Sequence, residues 1–321
     1  MGARRVLGAP EKDNGRSSVP ALKAVGSMEL PVIVGVDGSE AGLDAVDWAA
    51  DAAVRHGLPL RIVHASLWER YEGDALAETP GAAPDVVTEH DLAEGVVALA
   101  DQRARQRAPN LEITTSVLPE DPVSALLREA SLASTVVTGV RGRGPIRELL
   151  LGSVGLSLAA RAPCPVVVVR GRAENRRTAN ARIVLGVGDT TAAAAVRYAF
   201  REAEARECEV EAVRAWRRPA HRTAPHPLLT GEPAHAEEDR ASELLGQALD
   251  SIAEDHSGVR LHRSLVEGSA RHALVTRSSA ADLLIIGAHR RHGHLGPQLG
   301  LVGHTVLHHA ECPVAVVPRQ E

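Results

Sequence analysis

Gly139, Gly142, Gly152 and Ser153 stand at the spacing Gly-x2-Gly-x9-Gly-Ser, within the stretch "TGVRGRGPIRELLLGS". A glycine has no Cβ, so the backbone there can approach a phosphate closely or take a positive φ. A Gly-Ser pair that opens a helix presents unpaired N–H groups and the positive end of the helix dipole to an anion, and the serine adds a hydroxyl. The spacing thus joins two anion-facing backbone segments around one hollow, and the chemistry it suits is the cradling of phosphate groups. The competing reading is a loop whose glycines serve only tight turns. Asp37 adds a second function, because it ends the apolar run of "VIVGVDGS". Its carboxylate could accept hydrogen bonds from an adenine amine or a ribose hydroxyl. It could instead cap the helix that "DGSE" begins, but Ser39 can serve as that cap and so leave Asp37 free.

These residues need a scaffold that brings the ends of separate strands together. Short runs rich in Val and Ile alternate with longer amphipathic stretches, the pattern of parallel strands joined by helices. The runs near 31–36, 59–65, 111–117, 135–140 and 165–170 predict five strands in the first half, and 182–187, 208–215, 259–266, 282–287 and 313–318 predict five in the second. Helices are expected between them, for example over Glu40–His56 and 192–206. The two halves are copies. "LGSVGLSLAARAPCPVVVVR" (151–170) aligns with "LGLVGHTVLHHAECPVAVVP" (299–318) at a constant offset of 148, and 32–53 aligns with 183–203. The expected fold is α/β, two tandem Rossmann-like, doubly wound domains, each with a five-stranded parallel sheet, at 30–172 and 180–319. A disordered arm is expected over 1–29. In an open α/β sheet the ligand sits beyond the carboxyl ends of the strands, where both Asp37 and the glycine loop fall.

Composition removes other functions. The only lysines are Lys12 and Lys23, both in the arm, so a Gly-Lys-Ser/Thr phosphate loop, a kinase strand lysine and Schiff-base chemistry are excluded from the body. The net charge of −5, with six aromatic residues (Trp48, Trp68, Tyr71, Tyr198, Phe200 and Trp216), argues against nucleic acid as a partner. No apolar run reaches the roughly 18 residues of a membrane span and no signal peptide is visible, so no membrane partner and a cytoplasmic location are expected. Cys164, Cys208 and Cys312 read as reduced thiols. His289, His292, His294, His304, His308 and His309 crowd one region of the second half, but lack the further ligands of a metal site and read as a solvated basic face.

Together these features resemble the universal stress protein family in its tandem two-domain form, over about residues 30–318. The resemblance implies the strand order 3-2-1-4-5 and an ATP site, with magnesium, formed at Gly139, Gly142, Gly152 and Ser153. It implies further that Asp37 holds the adenosine, that the backbone of Ala65 reads the adenine edge, and that Thr138 and Val154 offer backbone contacts to the phosphates. The two halves are expected to pair as a pseudo-dimer, commonly through their fifth strands, and a homodimer of the chain is left open. The implied role is a sensor or regulator of stress or energy state, with no catalytic residue assigned. A slow ATPase or self-phosphorylating protein, and an interaction module without nucleotide, are the alternatives.

The second half departs from the pattern. Gly287 and Gly300 keep register, but Arg290 stands at the second glycine, Leu301 at the serine, and Gly188 at Asp37, with Asp189 one place later. Its site is expected to be degenerate. If the fifth strands pair antiparallel, Cys164 and Cys312 lie at opposite ends of the pair, too far apart for a disulfide.

Overall fold

Strands and helices alternate through the residues that the computed structural model describes, 30–67, 88–140, 152–176, 179–189, 193–217, 233–288, 290–293 and 296–319. The expected arm (1–29) and Gly142 lie outside them. The first half runs β1 (Val32–Gly35), α1 (Glu40–His56), β2 (Leu60–Ala65), α2 (Glu89–Arg107), β3 (Ile113–Leu118), α3 (Pro122–Glu129), β4 (Thr135–Gly139), α4 (Ser153–Arg161) and β5 (Val166–Val169). The second runs β6 (Arg182–Gly186), α5 (Ala193–Arg206), β7 (Glu209–Trp216), α6 (Pro233–Asp255), β8 (Leu261–Glu267), α7 (Ala270–Ser278) and β9 (Leu283–Gly287). It continues with β10 (Arg290–Gly293), β11 (Gly296–Leu299), α8 (Leu301–His309) and β12 (Val314–Val317).

Local chemistry sets the helix ends. Ser39 caps α1, its side chain accepting from the Gly42 amide, and Gly57 ends that helix at φ +66°. Thr88 and Asp91 form a reciprocal capping box at the start of α2. Asp121 caps α3, and Pro122 occupies its first turn, where no amide partner is needed.

The ten main strands form one sheet in the order β3-β2-β1-β4-β5-β12-β9-β6-β7-β8. Each half therefore has the order 3-2-1-4-5, and the halves are mirrored about the β5–β12 seam. Neighbours within each half are parallel, whereas β12 meets β5 antiparallel, with Val314 opposite Val168 and Val316 opposite Val166. Both strands are fully buried, as expected of central strands covered on both faces. Alternate residues feed two cores. Val34, Val137, Val167, Ile285 and Ala315 belong to one, and Ile33, Val136, Val168, Leu284 and Val316 to the other. Each core runs through both halves. Cys164 and Cys312 are buried free thiols, placed just before β5 and β12 and so at opposite ends of the antiparallel pair. The β10–β11 hairpin, antiparallel from Arg290↔Leu299 to Gly293↔Gly296, has no counterpart in the strands expected from sequence, because its residues lack the Val/Ile content that marks the sheet strands.

A charged cluster ties α1 to α5. Glu202, 3% exposed, accepts from His56 Nε2 at 2.8 Å and Arg206 Nε at 3.1 Å, and the Arg206 guanidinium lies 5.3 Å from the Trp48 ring centroid. Burial alone would raise the Glu202 pKa, but the His56 hydrogen bond and the Arg206 charge outweigh it and hold the carboxyl at about 2, below the ordinary 4.5. Because the folded value is depressed, the stabilisation is complete above the unfolded pKa and is lost as pH falls through the folded one. Replacing Glu202 by Ala is expected to cost about 3–5 kcal/mol at neutral pH by stranding Arg206. The variant should also lose part of the stability decrease seen in the wild type between about pH 4.5 and 2, a comparison made by urea unfolding across that range.

Candidate functional site

The strand order reverses between β1 and β4, the place where an open sheet leaves a crevice at its carboxyl edge. A cavity of about 550 Å³ occupies that crevice, lined by Asp37, Ala65, Thr138, Gly139, Gly152, Ser153 and Val154 together with neighbours that include Val63, Leu126 and Gly155. Seven of the eight residues expected from sequence thus meet at one hollow, and Gly142 is outside the described residues. The volume is of the size that holds a small molecule.

Three local arrangements shape it. The first is the start of α4, whose N-cap is Gly152 at φ −64° and ψ 149°, with no side-chain cap. Its first-turn amides therefore lack the side-chain acceptor that α1 has, and they border the cavity with the positive end of the helix dipole. The second is Asp37. Its Oδ1 accepts from the Ser39 amide at 3.1 Å and the Ser39 hydroxyl at 2.5 Å, while the Ser39 oxygen accepts from the Gly42 amide at 3.1 Å. Ser39 is the cap, as the sequence suggests, but it does not leave Asp37 free; it holds the carboxylate in orientation. The third is Gly139. A Cβ there would fall 2.3 Å from the Ala41 carbonyl oxygen, so the end of β4 requires glycine to let the first turn of α1 pack on it. Beneath these, His64 donates through Nδ1 to the Val36 carbonyl at 2.8 Å and ties the end of β2 to that of β1.

The second half has a smaller cavity, about 390 Å³, lined by Gly188, Asp189, Ile286, Gly287, Gly300 and Leu301 among others. Gly300 caps α8 without a side-chain bond, as Gly152 does α4. The polar groups differ. Leu301 projects an apolar side chain, 68% exposed, at the position of Ser153. The carboxylate of Asp189 is paired with Arg214, which is 6% exposed and takes the place of His64. An arginine in that place draws the nearest acid away from the role that Asp37 could fill. The side chain of Arg290 is outside the described residues. Sequence reasoning missed His64 and Arg214. Their register, one residue before Ala65 in "RIVHA" and before Ala215 in "AVRAW", was the available signal.

Among the described residues, no group of three or more His, Cys, Asp and Glu side chains could hold a metal ion, and no helix is long and apolar enough to cross a membrane.

The universal stress protein family model matches the chain twice, at residues 29–170 and 180–318. A universal stress protein of Mycobacterium tuberculosis is 32% identical over 296 residues, which cover 90% of this chain and 97% of the relative. One from Mycolicibacterium smegmatis is 28% identical over 292 residues, at 90% and 97% coverage. Among solved structures, that of a universal stress protein from Archaeoglobus fulgidus superposes with a TM-score of 0.64 at 16% identity, covering 90% of this chain and 98% of the other.

The steric reading of Gly139 and the capping role of Ser39 make separate predictions. Gly139→Ala should destabilise the protein by about 2–4 kcal/mol, since backbone rather than a flexible side chain fills the space. Ser39→Ala should cost about 1 kcal/mol for the lost cap. Chemical unfolding of the two variants beside the wild type checks the order; equal, negligible losses would contradict it.

Proposed function

The chain belongs to the universal stress protein family, and from that premise we propose that it binds ATP in the first-half cavity and acts as a sensor or regulator of energy or stress state. The observation that carries the reading is the convergence of Asp37 and the uncapped start of α4 on one hollow at the switch point of the sheet. A carboxylate and a cluster of amide donors lining one cavity suit the two ends of a nucleotide.

In this reading the amides of Ser153 and Val154 and the Ser153 hydroxyl hold the phosphates, with the backbone of Thr138, Gly139 and Gly142 completing the cradle. Asp37, oriented by Ser39, accepts from the nucleoside, and the backbone at Ala65 reads the adenine edge. Magnesium, bound with the triphosphate, offsets its charge. The domain containing this site spans 30–172. Its copy, 180–319, binds nucleotide more weakly, because Asp189 is paired with Arg214 and Leu301 offers no hydroxyl. Signalling follows if the nucleotide has unequal affinity for two conformations or for a partner-bound state, the condition under which any ligand shifts a population.

Calorimetric titration with ATP and magnesium should give one tight site per chain. Asp37→Ala and Gly142→Arg should each weaken it about tenfold or more, the second by copying the second half's own substitution. Mass spectrometry of nucleotide released on unfolding the purified protein should detect adenine nucleotide. Two equal tight sites would reject the unequal halves, and no heat at millimolar ATP would reject the site.

A further inference from the structure

The pseudo-twofold axis at the β5–β12 seam generates two equivalent hollows, and the chain fills only one of them among its described residues. Beside the second half, the interdomain linker occupies the hollow. Asn175, 4% exposed, donates from Nδ2 to the carbonyls of Ser278 at 3.3 Å, Ser279 at 3.2 Å and Glu311 at 2.9 Å. Arg176 follows it with an ion pair to Asp44 at 3.2 Å. Beside the first half, Ala130, Ser131 and Pro163 stand where Ser278, Ser279 and Glu311 stand, and they line an open cavity of about 780 Å³. This cavity lies at the amino ends of β1, β4 and β5, the opposite edge of the sheet from Asp37 and the glycine loop.

Its walls are chemically unlike each other. The first half contributes an apolar wall that includes Leu30, Leu58, Ala133 and Pro165. The second contributes α5, which carries Arg197 and Arg201, both exposed. Matching the buried faces of α1 and α5 superposes Trp48 on Tyr198, so these arginines replace Asp47 and Asp51 of α1. Those aspartates pair with Arg103 and Arg107, whereas Arg197 and Arg201 have no carboxylate partner among the described residues. The Arg201 guanidinium lies 5.5 Å from the Tyr198 ring centroid.

Trp48 and Tyr198, each 3% exposed, form the floor of the cavity. The Thr135 hydroxyl donates to the Ser134 carbonyl at 2.8 Å, which leaves its oxygen to accept from the Tyr198 phenol beside it. The Trp48 Nε1 has no hydrogen-bond partner among the described residues and lies beneath the cavity surface. The one acid in the wall, Glu202, is already held by His56 and Arg206.

We propose that this interdomain cavity is a second ligand site, selective for a small organic anion with an aromatic or branched apolar body. The body lies against the apolar wall of the first half and the Trp48 and Tyr198 rings, and the carboxylate, sulfonate or phosphate faces Arg197 and Arg201. Apolar walls with a few convergent polar groups are the usual composition of such sites, and the volume is in their range. Since the ligand touches both α1 and α5, its binding stiffens the contact between the halves.

The test is calorimetric titration of the full chain with 2-naphthoate and its neutral analogue 2-naphthamide, with ATP titrated in parallel. The anion should bind about tenfold more tightly than the amide, and Arg197→Gln/Arg201→Gln, which alters only exposed side chains, should remove that preference. ATP affinity should be the same in that variant as in the wild type, and ATP should not displace the naphthoate. Equal affinity for the two probes, an unaltered preference in the double arginine variant, displacement by ATP, or no heat at millimolar naphthoate would each overturn the proposal. Because the ATP titration is read separately, failure here leaves the first-half nucleotide site untouched.

Discussion

The antiparallel hydrogen bonding of β5 to β12 is the contact on which the remaining architecture depends. A five-stranded sheet of this order would otherwise end at β5, a valine-rich strand whose free backbone edge invites pairing with another chain. Pairing with the copy of itself removes that edge in both halves and makes two cores that run the whole width of the protein. It also sets direction. The carboxyl ends of the strands in one half lie beside the amino ends in the other, so the crevices at the two switch points open on opposite edges.

Duplication supplies two copies of the crevice, and a few substitutions make them unequal. In the first, Ser39 connects the cap of α1 to Asp37, so the helix start and the acid are fixed by the same hydroxyl. In the second, a buried arginine on β7 takes up the acid one residue later. Leaving that guanidinium buried without a counter-charge would be costly, so Arg214 takes the exposed Asp189 as its partner, an arrangement unlike that of Asp37. The backbone scaffold is retained while the polar groups change. That is why the second half keeps a cavity at the equivalent place, smaller than the first, and loses the acid and the hydroxyl.

The surfaces beside the seam diverge in the same way. Trp48 and Tyr198 are equivalent in place, but their helices carry aspartates on one side and arginines on the other, and the cluster centred on Glu202 breaks the symmetry of the contact. The linker can fill only one of the two related hollows, because it connects the halves once. A tandem chain is therefore asymmetric at its seam even where its strands are not.

Much of this was legible in the sequence. The apolar runs marked all ten strands of the main sheet to within a few residues. Inner strands such as β4, β5, β9 and β12 are buried on both faces and need continuous apolar side chains, while the edge strands β3 and β8 are only partly buried and mixed in composition. The constant offset between "LGSVG" and "LGLVG" revealed the duplication, and the glycine spacing with Asp37 marked the crevice, since strand ends and helix starts are local features. The β10–β11 hairpin was not legible, having no apolar alternation to mark it. Nor was the steric demand at Gly139, which comes from the Ala41 carbonyl in a helix nearly a hundred residues earlier in the chain, or the hold of Ser39 on Asp37. The pairing of Arg214 with Asp189 and the open hollow between α1 and α5 depend on groups distant in sequence. Periodicity reports which face of an element is buried; only the tertiary structure decides what it is buried against, because that depends on distances between segments that the chain order does not contain.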